Sequence, residues 1–476
     1  MFLKKVMANL PEVTSPKHKL SFKEKLKWTG IVLISFFILS MISLFGLGQN
    51  SLAQFEQLSI ILGASFGSII SLGIGPIVTA SIVLQLLTGS GILKIDMTSP
   101  DGKKFFQGLQ KILAIFFIIF EAIIYVFMGG LSPSLDINAS LFTTMQLVLV
   151  FQLFLGGMLI LFMDEVISKW GFGSGIGLFI AAGVSKGIMI RAFSPLTTAG
   201  QLAFTSGLPP VGAVWVFFKA LFNADLSGAA LPFFAILATI AVFAMAVYAQ
   251  AMKVEIPLSF GRIRGHGIRW PLKFIYTSNI PVILVAALLA NFQLWARLLQ
   301  NRVADAGLWS WVSINILGQF QGQAPISGLV YWTHAPNLVG AIISKYITFD
   351  LVLQALSYTL FMIAGAVLFS VFWVQTSGMD AKSQAKQIMA SGLQMPGFRR
   401  DPRVLESMLK RYIGPLTIMG AIVVGALAAF ADLMGALSRG TGILLTVMIV
   451  YRLYEDIAQH HMMDMNPGLR KMMGGE

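Results

Sequence analysis

Residues 55–87 read FEQLSIILGASFGSIISLGIGPIVTASIVLQLL, and the way such a stretch can sit in a membrane fixes the architecture. Its first part, Phe55 to Ser71, is apolar but sprinkled with Ser and Gly, too broken to cross a bilayer by itself. Leu72-Gly-Ile-Gly-Pro76 interrupts it, and a short apolar span follows at once, near 74–89. Broken backbone at membrane depth is tolerated only where it is buried in protein or lines a cavity. The stretch therefore reads as a short re-entrant helix feeding a short span, inside a bundle with internal space.

The rest of the chain supplies that bundle. Of 476 residues, 56% are hydrophobic and only 12% charged, more apolar surface than a water-soluble fold can hide. Runs of about 20 residues, enough for roughly 30 Å of hydrocarbon, lie near 28–47, 109–130, 141–163, 231–252, 274–294, 351–374 and 412–431. Shorter or Gly-rich runs near 74–89, 173–192 and 436–454 bring the expectation to ten spans. The fold class is all-α, a polytopic membrane helix bundle. The 46 Gly and 18 Pro do not oppose this, because neighbouring helices re-satisfy freed backbone groups in lipid.

Ten spans put both termini on one side. Of the 34 Lys and Arg, only Lys186, Arg191, Lys219, Arg297, Arg302, Lys345 and Arg439 fall on the other. The positive-inside rule then makes both termini cytoplasmic, in the cell membrane, and turns much of the net charge of +13 into topological bias. The organisation predicted is a cytoplasmic N-terminus (1–27), a first half (28–192), an external hinge loop (193–230), a second half (231–454) and a cytoplasmic tail (455–476). Ser21 and Glu24 have capping-box spacing, and the Lys-rich segment they open is amphipathic, suited to the cytoplasmic interface. Two cytoplasmic loops, 253–273 and 376–411, are more basic than topology needs. They serve either lipid head groups or an anionic partner such as ribosomal RNA. Gly261, Gly265 and Gly267 indicate a shaped turn in the first.

Catalytic chemistry finds no footing. There are no cysteines, and His18, His266, His334, His460 and His461 lack HExxH spacing, so neither a thiol nor a zinc centre is expected and no metal or cofactor is predicted. Gly173-Ser-Gly-Ile-Gly177 lacks the strand before it and the Lys-Ser/Thr after it that a phosphate loop needs; small residues for close helix packing explain it. Glu121 is the acidic residue that falls clearly within a span. It is either functional or a packing hydrogen bond, with Thr79 and Asn291 as possible partners. An inverted 5+5 arrangement also suits a secondary transporter, but that reading wants polar ligands near the midplane, where this chain offers mostly Ile, Val and Gly. A membrane enzyme lacks its nucleophile and metal constellations. Whatever moves here is driven from outside the chain.

LGIGPIVTASIVLQLL (72–87), FGSGIGLFIAAG (172–183), VEIPLSFGRIRG (254–265), SNIPVIL (278–284) and GTGILLTV (440–447) together resemble the SecY family in its archaeal and eukaryotic-like form. The resemblance covers nearly the whole chain, although 296–350 matches no motif. It implies a protein-conducting channel, not an enzyme, built as two pseudo-symmetric five-helix halves around a central pore. The pore waist would be an aliphatic ring of Ile74, Val78, Ile176, Ile180, Ile283 and Leu445, and such a ring repels water by dewetting while offering a passing chain no fixed hydrogen bonds. Phe55 to about Ile70 would be a plug. Thr79, Glu121 and Asn291 would form a polar cluster at a lateral gate, and Arg262, Arg264 and Arg399 would dock a ribosome. The partners implied are a SecE/gamma-type subunit, a small beta-type subunit, a ribosome or other driving partner, polypeptides bearing signal sequences, and lipids. The archaeal-like motifs favour the ribosome over a motor ATPase.

Overall fold

The computed structural model describes residues 9–18, 20–52, 62–96, 99–134, 139–197, 201–203, 208–260, 267–302, 316–322, 324–390, 393–394 and 402–465. Helices dominate, and ten of them occupy the ten expected positions. In the first half these are α1 (Phe22–Met41), α2 (Gly75–Gly89), α3 (Pro100–Phe127), α4 (Ala139–Trp170) and α5 (Gly175–Phe193). After a short α6 (Ala213–Phe222) come α7 (Leu226–Ala251), α8 (Ile280–Arg302), α11 (Phe349–Thr376), α13 (Pro402–Leu433) and α14 (Gly440–Met465). Between them lie the small helices α9 (Gly328–Trp332), α10 (Leu338–Ile343) and α12 (Ala381–Ala390). Seven of the ten are long and apolar enough to cross a membrane by length and composition alone.

Local signals set the helix starts. The Ser21–Glu24 capping box forms, with the Ser21 backbone N–H donating to Glu24 Oε2 at 2.9 Å. It opens α1 itself, so residues 22–27 are continuous with the helix that covers most of the first expected span. Ser99 caps α3 through the Gly102 N–H, Asp225 caps α7 through Gly228, and Thr348 caps α11 through Leu351. The expected span at 274–294 instead begins at Ile280, because 274–279 is spent in turns with Ser278 at φ +58°.

α2 has only 15 residues, about 22 Å at 1.5 Å per residue. It cannot cross alone, and it begins after a chain of tight turns. The re-entrant segment is only partly visible: 53–61 lie outside the described residues, and 62–74 is turn rather than helix. Gly73, at φ +58°, explains why. A Cβ there would sit 2.3 Å from the Leu62 carbonyl oxygen, so the chain doubles back through a glycine. The hydroxyls of Ser65, Ser68 and Ser71 bond to nearby carbonyls, among them Ser68 Oγ to Ser65 O at 2.7 Å, which keeps the buried turn satisfied.

Packing rests on small residues. α2 is central, touching α3 on one side and α8 and α11 on the other, while α5 meets α14 and α13 packs along α11. A Cβ on Gly89 would fall 2.3 Å from the Phe372 ring, and one on Gly157 2.6 Å from Ile118. The outer surface is the converse: Ile240 and Phe243 on α7 and Leu356 and Leu360 on α11 are exposed, an apolar belt whose solvent is lipid.

The basic loop 253–273 is a β-hairpin, β1 (Lys253–Phe260) against β2 (Gly267–Lys273), a local departure from an all-helical chain. Val254, Ile256 and Leu258 recur at every second position, the period of a strand. A third strand, Leu393–Gln394, pairs with Phe260 and Ser259 of β1. Hairpin, α12 and the first turns of α13 share their own core, including Ile256, Leu272, Ile388, Leu405 and Leu409. Tyr276 ties into it by donating its hydroxyl to the Met379 carbonyl at 2.7 Å. The two basic loops are thus one body.

Candidate channel and gate

A cavity of about 770 Å³ opens between the two sets of five helices, on the side that carries the hairpin. α2 contributes Val78, Ser81 and Gln85, one helical stripe at spacings of three and four. The turn before α8 contributes Asn279 and α8 itself Ile283, α5 adds Ile176, and α14 adds Ile449, Arg452 and Asp456. Along α2 and α14, Gln85, Arg452 and Asp456 lie toward the hairpin side and Val78 and Ile449 deeper, while Ile176 and Ile283, in the first turns of α5 and α8, add to the aliphatic part of the lining.

Of the six aliphatic residues singled out by sequence, Val78, Ile176 and Ile283 line this cavity. Ile74, Ile180 and Leu445 do not line it and, like Val78 and Ile283, are buried in the core. The turn at 62–63 closes over Ile74: a Cβ on Gly63 would lie 3.7 Å from Ile74 Cγ2 and 3.4 Å from Phe179 Cβ. Gln85 and Ile449 escaped the sequence reading. The stripe from Val78 to Gln85 was the available signal for the first, while Ile449 joins the lining only through the packing of α14 beside α5.

Thr79, Glu121 and Asn291 come from α2, α3 and α8, and the fold brings all three together. Asn291 Nδ2 donates to Thr79 Oγ1 at 2.8 Å, and Thr79 Oγ1 lies 2.8 Å from the Gly75 carbonyl and 3.3 Å from Glu121 Oε1. All three are buried. Gly75 makes room for them, since a Cβ there would be 3.3 Å from Glu121 Oε2 and 3.6 Å from Asn291 Oδ1. The Asn291–Thr79 bond crosses the seam where α2 faces α8. Away from that seam, within the first five helices, Gln110 Nε2 of α3 donates to Ser81 Oγ of α2 at 2.7 Å.

Arg262, Arg264 and Arg399 lie outside the described residues. Their chain positions are nevertheless informative, because the strand pairing of Phe260 with Leu393 draws the two loops that carry them side by side. At the N-terminus, Lys169 holds both Glu12 and the Val13 carbonyl, and Glu165 accepts from the Val13 N–H at 2.9 Å while pairing with Lys111. Lys169 beside Glu12 holds that carboxyl below its ordinary range. The segment 12–14 is thereby strapped to the end of α4.

Ten helices around a cavity lined by polar and aliphatic side chains, with a seam between the two sets of five, define a membrane channel. The SecY family model matches residues 68–454. A protein translocase subunit SecY from Methanothermobacter thermautotrophicus is 47% identical over 472 residues, 98% of this chain and 97% of that one. A solved protein-conducting channel superposes with a TM-score of 0.81 at 40% identity, covering 98% and 99% of the two chains. Sec61 from a canine ribosome-channel complex of the endoplasmic reticulum gives 0.78 at 39% identity, with the same coverage. The chain belongs to the SecY family.

Proposed function

We propose that this chain is the channel through which unfolded polypeptides cross the membrane, and from which apolar segments pass sideways into lipid. The observation that carries this reading is the aliphatic part of the cavity lining, Val78, Ile176 and Ile283. Such a lining excludes water and ions at rest and offers a sliding chain no hydrogen bonds to hold it. A transporter would place substrate-binding polar groups there instead. The alternation of basic loops supports cytoplasmic termini in the cell membrane, with the cavity facing the cytoplasm.

The turns at 62–74, with the segment before them, act as the plug, seated against Ile74. The seam between α2 and the pair α8 and α11 acts as the lateral gate. Its Asn291–Thr79 bond contributes on the order of 1 kcal/mol inside a membrane, a weak latch that an entering apolar helix can replace with its own packing. The hairpin body and its arginines dock the ribosome, as a likeness to Sec61 in a ribosome-channel complex suggests, and gamma-type and beta-type small subunits clamp the bundle. The chain is a conduit, and the driving force comes from the partner.

The test is site-specific photocrosslinking in membranes, with a photoreactive residue at Val78, Ile176 or Ile283 and a stalled ribosome bearing a secretory chain. Crosslinks to the nascent chain there, and none from lipid-facing Ile240 or Leu360, support the channel. Ribosome binding without any crosslink from the three would falsify it.

A further inference from the structure

On the opposite end of the bundle from the hairpin, a second polar cavity of about 280 Å³ lies among the ends of three elements. Arg191 comes from the last turn of α5, Arg439 from the position before α14, and His334 from the loop after α9. Both arginines are half-buried. Neither forms an ion pair among the described residues, and Arg191 Nη1 reaches only the Leu437 carbonyl, at 3.3 Å.

Asp432, the one carboxylate among the described residues that line the cavity, is already fully engaged. Oδ1 accepts from the Thr441 N–H at 2.8 Å, and Oδ2 accepts from the hydroxyls of Tyr358 and Thr441. All three donors are neutral, so the carboxylate is satisfied without either guanidinium. Two cations therefore face the cavity against one anion that has its own partners. The Nδ1 atom of His334 is buried and has no hydrogen-bond partner among the described residues. Burial first, then Arg439 nearby, pushes the His334 imidazole down to about 3, so the ring is neutral at physiological pH and offers a donor without adding charge.

The cavity is held open by a stiff loop. Leu437 is tied at both backbone ends, its N–H donating to Thr239 Oγ1 of α7 at 3.1 Å and its carbonyl accepting from Arg191. Gly435 stands at φ +65°, where a Cβ would strike Asn337 Oδ1 at 2.3 Å. A void lined by unpaired guanidiniums and an orphaned imidazole nitrogen, at the level where α5 and α14 leave the hydrocarbon, wants a compact, multivalent anion. The planar fork of Arg matches phosphate oxygens two at a time, and lipid phosphates lie at that depth.

We propose that Arg191, Arg439 and His334 form a binding site for a phosphate group on the external face, supplied either as the head group of an anionic lipid or as free phosphate. Because Arg191 belongs to the first five helices and Arg439 and His334 to the second five, an occupied site ties the two sets together away from the gate.

The experiment uses the full chain, delipidated in a neutral detergent and titrated calorimetrically with inorganic phosphate in one arm and a short-chain phosphatidylglycerol in the other. At least one ligand is expected to bind one-to-one, with affinity reduced at least tenfold by R439Q and by R191Q and unchanged by K345Q, an exposed lysine on the same face. Binding of phosphatidylglycerol alone assigns the site to a lipid head group; equal binding of both assigns it to phosphate itself. If R439Q does not fold, R191Q and H334Q, on separate elements, carry the comparison. No binding to the wild-type chain, or binding insensitive to the arginine and histidine changes, overturns the proposal.

Discussion

Thr79 sits at the centre of the buried polar contact and makes the most of one hydroxyl, accepting from Asn291 Nδ2 while facing Glu121 and the Gly75 carbonyl. Thr79→Val keeps the shape and removes the hydroxyl, leaving Asn291 without its acceptor. The expected loss is about 1–2 kcal/mol of closed-state stability, read as a higher basal ion conductance in planar bilayers; conductance equal to wild type would remove the latch from the mechanism. His334 gives a second test. Its folded value near 3 lies below its ordinary 6.5, so between these pH values the unfolded chain binds a proton that the folded chain refuses. Stability must fall as pH is lowered through this window, by at most about 1.4 kcal/mol per pH unit. In phosphate-free detergent, wild type is expected to lose more thermal stability than H334Q between pH 7 and pH 5, and parallel losses would contradict the burial argument.

Among the elements, α4 and the turns at 62–74 are joined by a very close approach. A Cβ on Gly156 would come within 1.9 Å of the Ile69 carbonyl oxygen. Backbone cannot yield as a flexible side chain does, so Gly156→Ala displaces the turn, at a cost of about 1–3 kcal/mol. If that turn supports the plug, the variant leaks ions at rest while still inserting into membranes; a sealed variant would separate the turn from the seal. On the body formed by the hairpin, α12 and the start of α13, Leu409 is wholly buried. Leu409→Ala is expected to cost about 2–5 kcal/mol locally and to weaken ribosome binding in a sedimentation assay without altering the spans.

For the whole molecule, the seam is the feature that motion must exploit. Gly89 of α2 and Phe372 of α11 touch across it, and the absence of native cysteines makes a G89C/F372C pair the only thiols present. Crosslinking that pair with a short bifunctional reagent is expected to stop lateral insertion of apolar segments, and a cleavable reagent should restore insertion when cleaved. Undiminished insertion through a crosslinked seam would move the gate elsewhere.

The sequence by itself determined where the ten apolar helices lie and the motifs that mark the family, because apolar run length and Gly-Pro interruption are local properties. It also marked Thr79, Glu121 and Asn291 as possible partners, since polar residues stand out in apolar spans. Only the tertiary structure decided that Val78, Ile176 and Ile283 line the cavity while Ile74, Ile180 and Leu445 pack outside its lining: an aliphatic residue in an aliphatic helix carries no mark of which neighbour it meets. The same holds for Arg191, His334 and Arg439, more than a hundred residues apart at the extremes and harmless as single loop charges. Their common cavity exists only because α5, α9 and α14 end at the same level, which packing sets and local sequence does not.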